Sequence, residues 1–291
     1  MKQIITDCDY CSINQPVAEF LNFSQEISVG PSVYNEQHVF CAGWIVTIFK
    51  VWLVIALSMS ALSVAAENNT EAQRSDCVVL LHGLWRTELS MKPLQWYLAD
   101  AGFLVSNPSY PSLSYPIEEL ATMAVEEGLA ECRAQGSERI HFVTHSLGGI
   151  LVRQYLSRSN IAEMERVVML GPPNQGSQVA DYVSSLGILR PFTPEAVEQL
   201  GTGEQSIPLR LGPVNFELGV IAGTSGTGGV PGSPAGASDG TVAVVETLVP
   251  GMLDWIEMPV GHTFMMWSET VQRQVVYFLR FGKFDRAAPP P

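Results

Sequence analysis

The chain has 291 residues, of which 46% are hydrophobic and 15% charged, a composition typical of a globular protein with one sizeable core. Its net charge is −13, and its 16 Lys and Arg residues are scattered singly along the sequence. Because no basic stripe is available to neutralise phosphates, the sequence argues against a nucleic-acid partner.

The N-terminal quarter has the composition of a targeting region. The most apolar segment covers residues 44–66, and its second half has the length of the apolar part of a signal peptide. We predict that residues 1–45 are a mis-assigned or disordered leader, that residues 46–66 are a signal peptide cleaved after Ala66, and that residues 67–76 are a linker. The expected location is the periplasm or the exterior. The alternative is an uncleaved signal anchor that attaches the protein to a membrane through residues 44–66.

Cleavage would leave two cysteines in an oxidising compartment, Cys77 and Cys132. An even number of thiols there permits a disulfide, but whether the two pair depends on a geometry that the sequence leaves open. Cys8 and Cys11 form an isolated Cys-x-x-Cys in the leader, without the second pair that a zinc site needs. We find no metal-ligand cluster, phosphate-binding loop or nucleotide fingerprint, so neither a metal nor a cofactor is predicted.

From residue 77 onward, short β-branched runs alternate with longer helical patterns. This alternation predicts an α/β fold with a mainly parallel central sheet and helices on both faces. The predicted strands are 77–83, 103–108, 139–145, 166–171, 217–223, 241–248 and 254–260. The predicted helices are 92–101, 117–135, 147–157 and 269–281.

Residues 171 to about 217 break this alternation and are predicted to form a short, lid-like insertion. Gly and Pro recur there, and only short helical pieces are expected, at 179–185 and 194–200. The folded domain is predicted to span residues 77–283, and residues 284–291 a disordered tail.

The most informative segment is an elbow, a place where a predicted strand turns sharply into a helix. It comprises Thr144, His145, Ser146, Leu147, Gly148 and Gly149. A serine on such a turn is held in a strained conformation that exposes its hydroxyl, and small neighbours are needed because strand and helix pass close together. Gly148 is such a neighbour, whereas Thr144 stands where glycine is usual. The simpler alternative is that Ser146 only caps the helix.

A serine hydroxyl is a poor nucleophile unless an imidazole removes its proton and a carboxylate orients that imidazole. We predict His262 as the base, because it follows the last predicted strand, whereas the other histidines precede the elbow or lie within it. We predict Asp239 as the acid, because it follows a flexible loop close after the predicted strand 217–223. Asp254 begins a strand and so belongs to the opposite edge of the sheet, and Asp181 lies in the insertion.

Two backbone N–H groups are expected to meet the negative charge that develops on a substrate carbonyl oxygen. We assign Leu147, directly after the serine, and Leu84. The latter follows His82 and Gly83, which end the first predicted strand.

Four segments, VVLLHGL, FVTHSLGG, LGPPNQGSQVAD and SDGTVAV, together resemble the bacterial lipase and esterase branch of the α/β-hydrolases. The resemblance covers roughly residues 77–283. It implies the α/β-hydrolase fold, a triad of Ser146, Asp239 and His262, and Leu84 and Leu147 as oxyanion donors. Secreted triacylglycerol lipases have a longer insertion and a calcium-site acid soon after the histidine. This chain departs from both patterns, so calcium dependence and a large lid do not carry over.

The leading function is hydrolysis of small-molecule or lipid carboxylic esters with an apolar acyl chain, through an acyl-enzyme on Ser146. An acyltransferase with the same triad and a non-catalytic α/β-hydrolase that binds a partner are the alternatives. Trp85, Tyr110, Tyr115 and residues 264–267 either line an acyl pocket or belong to the ordinary core.

Overall fold

The central sheet has six strands, all parallel, in the order β2-β1-β3-β4-β5-β6. The strands are β1 (Asp76–Leu81), β2 (Leu104–Ser106), β3 (Arg139–His145), β4 (Met164–Leu170), β5 (Leu218–Gly223) and β6 (Asp254–Met258). The helices are α1 (Lys92–Asp100), α2 (Ile117–Ala134), α3 (Leu147–Leu156), α4 (Gln178–Ser185), α5 (Glu195–Leu200), α6 (Ile207–Arg210), α7 (Val244–Thr247) and α8 (Glu269–Phe281). Short 3-10 helices occupy Glu88–Met91 and His262–Trp267.

The computed structural model describes residues 76–186, 194–226 and 236–287. The predicted leader, the predicted signal segment at 46–66 and residues 67–75 of the predicted linker lie outside the described residues. In the described ranges, no helix combines the length and the apolar character needed to cross a membrane.

Most residues of the central strands are apolar because the sheet is buried on both faces, as expected for a parallel sheet. In β1, Val79 and Leu81 pack into one core cluster with α2 and α3, whereas Val78 and Leu80 pack into a second cluster with α1 and α8. The predicted mainly parallel sheet with helices on both faces is therefore confirmed.

The strand order creates a crevice at the carboxyl edge of the sheet. The chain leaves β1 for β2 on one side, and β3 then pairs with the other side of β1. In open α/β sheets, ligands bind outside the carboxyl ends of the strands at such a switch point. The segments that follow β1 and β3 are those that carry Leu84 and Ser146.

The insertion between β4 and β5 is anchored by Arg153 to α3, the helix that follows Ser146. This side chain is buried, and its guanidinium donates to the backbone oxygens of Asn174, Pro208 and Gly212 and to Asn174 Oδ1 at 2.6–3.2 Å. Burial lowers the pKa of Arg153 to about 10. Asp181 accepts from the backbone N and the hydroxyl of Thr202, which joins α4 to the end of α5.

Cys77 and Cys132 form a disulfide that ties β1 to α2, with their Cα atoms 5.7 Å apart. Both cysteines are fully buried. The sequence left open whether these two cysteines pair. They pair because the first strand lies next to the helix that covers it.

The structure corrects three predictions, namely one strand and two domain boundaries. The predicted strand 241–248 is wrong, because Glu246 folds back, accepts a hydrogen bond from the backbone N of Ala243 and closes the short helix α7. The predicted linker ends one residue too late, since Asp76 begins β1. The predicted tail is wrong for residues 284–287, because Phe284 is buried and Arg286 pairs with Asp254.

Candidate active site

Ser146 lies on a strained turn between β3 and α3. Its φ is 53° and its ψ is −120°, and its side chain makes no capping hydrogen bond to the helix. A non-glycine residue adopts this conformation only when the surrounding structure enforces it. The alternative that Ser146 merely caps the helix is therefore wrong, and the hydroxyl is free to project into the crevice.

The elbow depends on close packing around the serine. A Cβ at Gly148 would lie 2.5 Å from the backbone oxygen of Leu81, so strand and helix approach too closely there for any other residue. Thr144 is fully buried below the turn, and its Oγ1 has no hydrogen-bond partner among the described residues. Gly149 packs against Met169, and Gly83 against His145.

Asp239 and His262 form a buried hydrogen-bonded pair on the loops after β5 and β6. His262 Nδ1–H donates to Asp239 Oδ2 at 2.7 Å. The other carboxylate oxygen accepts from the backbone N–H groups of Thr241 and Val242 at 2.9 and 2.7 Å. The backbone N of His262 also donates to the backbone oxygen of Asp239 at 2.9 Å, so both loops are held together at main-chain level.

The competing acids lie elsewhere. Asp254 begins β6, at the opposite edge of the sheet, and its carboxylate binds Arg286. Asp181 is engaged by Thr202 in the insertion.

Gly171, at the end of β4, is a site residue that sequence analysis missed. Its φ is 54°, and a Cβ there would come within 2.8 Å of Asp239 Oδ2 and 3.1 Å of His262 Nδ1. A glycine that directly follows a buried strand is the sequence signal, but what it must accommodate arrives from two distant loops.

His145 links the elbow to His262. Its ring is buried, and Nε2–H donates to the backbone oxygen of His262 at 3.0 Å, with the two ring centroids 4.6 Å apart. Burial lowers the pKa of His145 well below its usual value, and the electrostatic influence of His262 lowers it further. The neutral ring with its proton on Nε2 is the form that this hydrogen bond requires.

The loop after β1 is held by His82. Its ring stacks on Tyr110 with centroids 3.9 Å apart, its Nδ1–H donates to the backbone oxygen of Gly83 at 3.0 Å, and the Tyr110 hydroxyl donates to its backbone oxygen. Burial lowers the pKa of His82, so this ring is also kept neutral. Leu84 follows this support and lines the same pocket as Ser146.

Leu147 is the first residue of α3, and the first N–H groups of a helix have no partner within the helix. Its amide is therefore available next to the serine. Of the two residues assigned from the sequence, Leu84 thus lines the pocket that contains Ser146, and Leu147 directly follows Ser146.

A pocket of about 330 Å³ opens at Ser146 and His262. One wall comes from the insertion and consists of Val179, Ala180, Val183, Val197 and Leu200. Of the aromatic residues considered from the sequence, Trp85 lines the pocket, Tyr110 packs on His82, and Tyr115 is exposed. The segment 264–267 is divided, with Met265 and Met266 in the core and its two aromatic residues exposed.

Within the parts of the chain that the structure describes, no group of three or more His, Cys, Asp or Glu side chains is arranged to hold a metal ion.

A parallel sheet with a serine on a strained strand-to-helix turn, and an Asp–His pair on the loops after two later strands, defines the α/β-hydrolase architecture. The sequence matches the alpha/beta hydrolase family over residues 78–289, and the chain belongs to that family.

Solved structures of lipases and esterases share this fold. The mature form of the Bacillus licheniformis lipase BlEst2 matches with a TM-score of 0.55 and 20% identity, over 70% of this chain and 91% of that one. Its propeptide form matches with a TM-score of 0.56 and 19% identity over 70% of this chain, which is only 50% of that chain. The Pyrococcus furiosus esterase PF2001 matches with a TM-score of 0.53 and 17% identity, over 71% of this chain and 82% of that one. No curated protein matches the sequence. At these identities the likeness shows the fold alone.

Proposed function

We propose that this α/β-hydrolase cleaves carboxylic esters through an acyl-enzyme on Ser146. The observation that carries the proposal is the strained Ser146 in the same pocket as His262, whose Nδ1 is bonded to a buried carboxylate. Backbone strain of this kind costs about 1–3 kcal/mol and persists at sites that use it. A protein that only bound a partner would gain nothing from it.

In the first half of the reaction, Ser146 Oγ attacks the ester carbonyl carbon while its proton passes to His262 Nε2. Asp239 holds His262 with Nδ1 protonated, which leaves Nε2 as the acceptor, and stabilises the imidazolium that forms. When the tetrahedral intermediate collapses, the C–O bond to the alcohol breaks, and the leaving oxygen takes the proton from Nε2. In the second half, His262 Nε2 removes a proton from water, and the hydroxyl attacks the acyl carbon. The bond from that carbon to Ser146 Oγ then breaks, Oγ takes the proton back from Nε2, and the carboxylic acid is released.

The N–H groups of Leu84 and Leu147 are proposed to bind the oxyanion. Leu84 lines the pocket with Ser146, Leu147 directly follows Ser146, and each such donor is worth about 3 kcal/mol of transition-state stabilisation. The apolar insertion wall is proposed to hold the acyl chain, since a chain of methylene groups gains free energy by leaving water there.

Turnover of 4-nitrophenyl esters of increasing acyl length tests the proposal, with the full chain, its Ser146→Ala variant and a Ser159→Ala control at an exposed serine. We expect activity in the wild type and the control, and its loss in Ser146→Ala. A fluorophosphonate probe should add its mass to the wild type and not to Ser146→Ala.

Equal ester turnover in the wild type and Ser146→Ala would contradict the proposal. Labelling of Ser146 without ester turnover would direct the search to acyl transfer, which adding alcohol acceptors to the assay would reveal. If the wild type shows no labelling and no turnover, the result would favour the alternative of a non-catalytic α/β-hydrolase that binds a partner.

We also propose that the mature domain is exported. The buried Cys77–Cys132 disulfide supports this, because such bonds form and persist in oxidising compartments. The intact mass of the purified protein tests it. A mature chain that begins before residue 44 would overturn both cleavage after Ala66 and the prediction that residues 1–45 are a mis-assigned leader.

A further inference from the structure

Arg86 connects two loops that line the pocket. It follows β1 in sequence, yet its Nη2 donates to Thr263 Oγ1 at 3.1 Å, across a separation of 177 residues. Arg86 and Thr263 both line the pocket that contains Ser146 and His262. The hydrogen bond therefore holds the guanidinium beside the base.

Among the described residues that line the pocket, Arg86 is the one with a permanently charged side chain. Within the described ranges it makes no ion pair, whereas Arg133, Arg139, Arg166 and Arg286 each pair with a carboxylate. The chain carries 29 acidic residues against 16 basic ones. A cation without a carboxylate partner at this point of an acidic protein has its remaining N–H donors available to a ligand.

The reaction chemistry tells which part of the substrate meets Arg86. The base that protonates the leaving oxygen must lie beside the alcohol portion of the ester. Thr263 directly follows His262 and holds Arg86, whereas the apolar wall for the acyl chain comes from the insertion. Arg86 thus belongs to the side of the pocket that receives the alcohol portion.

The charge of Arg86 reaches the interior of the site. The pKa of His145 is lowered first by burial and then by the electrostatic influence of His262, and Arg86 contributes in the same direction.

We propose that Arg86 forms a subsite for an anionic group, a carboxylate or a phosphate, on the alcohol portion of the ester. The inference rests on the proposed esterase function and narrows its substrate class. A guanidinium offers paired N–H donors that match both anions. Because Arg86 is exposed, one such contact is worth at most about 1 kcal/mol, or about fivefold in kcat/KM.

The test compares kcat/KM for two esters that differ in one charge, 3-butyryloxy-4-nitrobenzoate and the neutral 3-butyryloxy-4-nitrobenzamide. A second pair, 1-butyrylglycerol 3-phosphate and 1-butyrylglycerol, distinguishes phosphate from carboxylate recognition. For each pair we take the ratio of kcat/KM for the anionic ester to kcat/KM for the neutral ester. We expect Arg86→Gln to lower this ratio about fivefold. Arg86→Lys, which keeps the charge, should retain most of the ratio.

Arg273→Gln is the matched control, since it removes one positive charge from an exposed position on α8, outside the pocket lining. It should leave the ratio unchanged, and added salt should lower the ratio in the wild type and not in Arg86→Gln. An equal loss on both esters in Arg86→Gln would overturn the subsite and leave Arg86 as a brace between two loops. Equal ratios in Arg86→Gln and Arg273→Gln would also overturn it. Failure of the wild type to cleave any of the four esters would instead contradict the proposed function.

Discussion

The substitution His145→Phe removes the hydrogen bond to the backbone oxygen of His262 while it keeps a flat ring in the same buried space. That bond is 3.0 Å long and lies between two buried residues, and the carbonyl of His262 keeps the i→i+3 bond of the 3-10 helix His262–Trp267 when His145 is replaced. One such intramolecular hydrogen bond contributes about 0.5–1.5 kcal/mol, and we expect the free energy of unfolding to fall by that amount.

The same change should affect catalysis through position. A shift of about 1 Å in a catalytic group can lower the rate about 100-fold, so we expect kcat to fall about 10- to 100-fold with little change in KM. In His145→Gln, the side-chain amide presents an N–H near the place of Nε2 and should restore most of kcat. Urea unfolding and ester kinetics on the same preparations measure both quantities. Equal kcat in His145→Phe and the wild type would refute the positioning role.

His145 also predicts a dependence of stability on pH. Its pKa is lowered in the folded state from an ordinary value of 6.5, chiefly by burial, so at acid pH the unfolded chain binds this proton more readily. The contribution of the neutral His145 ring to the free energy of unfolding is present above pH 6.5 and is lost as the pH falls below that value. The wild type should lose up to about 1.4 kcal/mol per pH unit more than His145→Gln in this range. Both proteins retain His82, so their difference isolates His145. Parallel stability curves below pH 6.5 would contradict the assignment of a neutral ring.

Three further substitutions test the elbow, the acid and the disulfide. Asp239→Asn should lower kcat about 10⁴-fold with the fold intact, because the amide no longer holds Nδ1 of His262 protonated; a loss below tenfold would argue against Asp239 as the acid. Gly148→Ala should lower the melting temperature sharply, since the new Cβ would lie 2.5 Å from a backbone oxygen, whereas a Cβ at Gly203 meets nothing within 4 Å and Gly203→Ala should melt like the wild type. Cys132→Ser should lower the free energy of unfolding by about 4 kcal/mol, the loop-closure value for cysteines 55 residues apart, and equal stability under oxidising and reducing conditions would contradict a disulfide in solution.

Local patterns in the sequence determined most of the fold. The apolar runs predicted all six strands of the sheet and one further strand that does not form, and the final helix has the predicted bounds Glu269–Phe281. These elements follow from periodicity and from the burial of a parallel sheet on both faces, which are properties of short segments. The elbow around Ser146 was recognised for the same reason, because strand, serine and glycine are adjacent in the chain.

Where a side chain from another segment decides the backbone, local propensity is a poor guide. The β-branched run at 241–248 favoured a strand. Instead, Glu246 accepts hydrogen bonds from the backbone N of Ala243, three residues before it, and from Gln178 in the insertion, and the chain turns into a short helix. Tertiary contacts overrode the preference of the segment.

The assembly of the site was likewise decided by the tertiary structure. His262 meets Asp239 across 23 residues, His145 across 117, and Thr263 meets Arg86 across 177. The residue types and their order along the chain could be read in advance, because a serine hydrolase needs a nucleophile, an acid and a base at the carboxyl edge of its sheet. The sequence did not reveal the hydrogen bond from His145, the space left by Gly171 or the position of Arg86. Such contacts depend on how distant loops pack, and no periodicity or short motif records that packing.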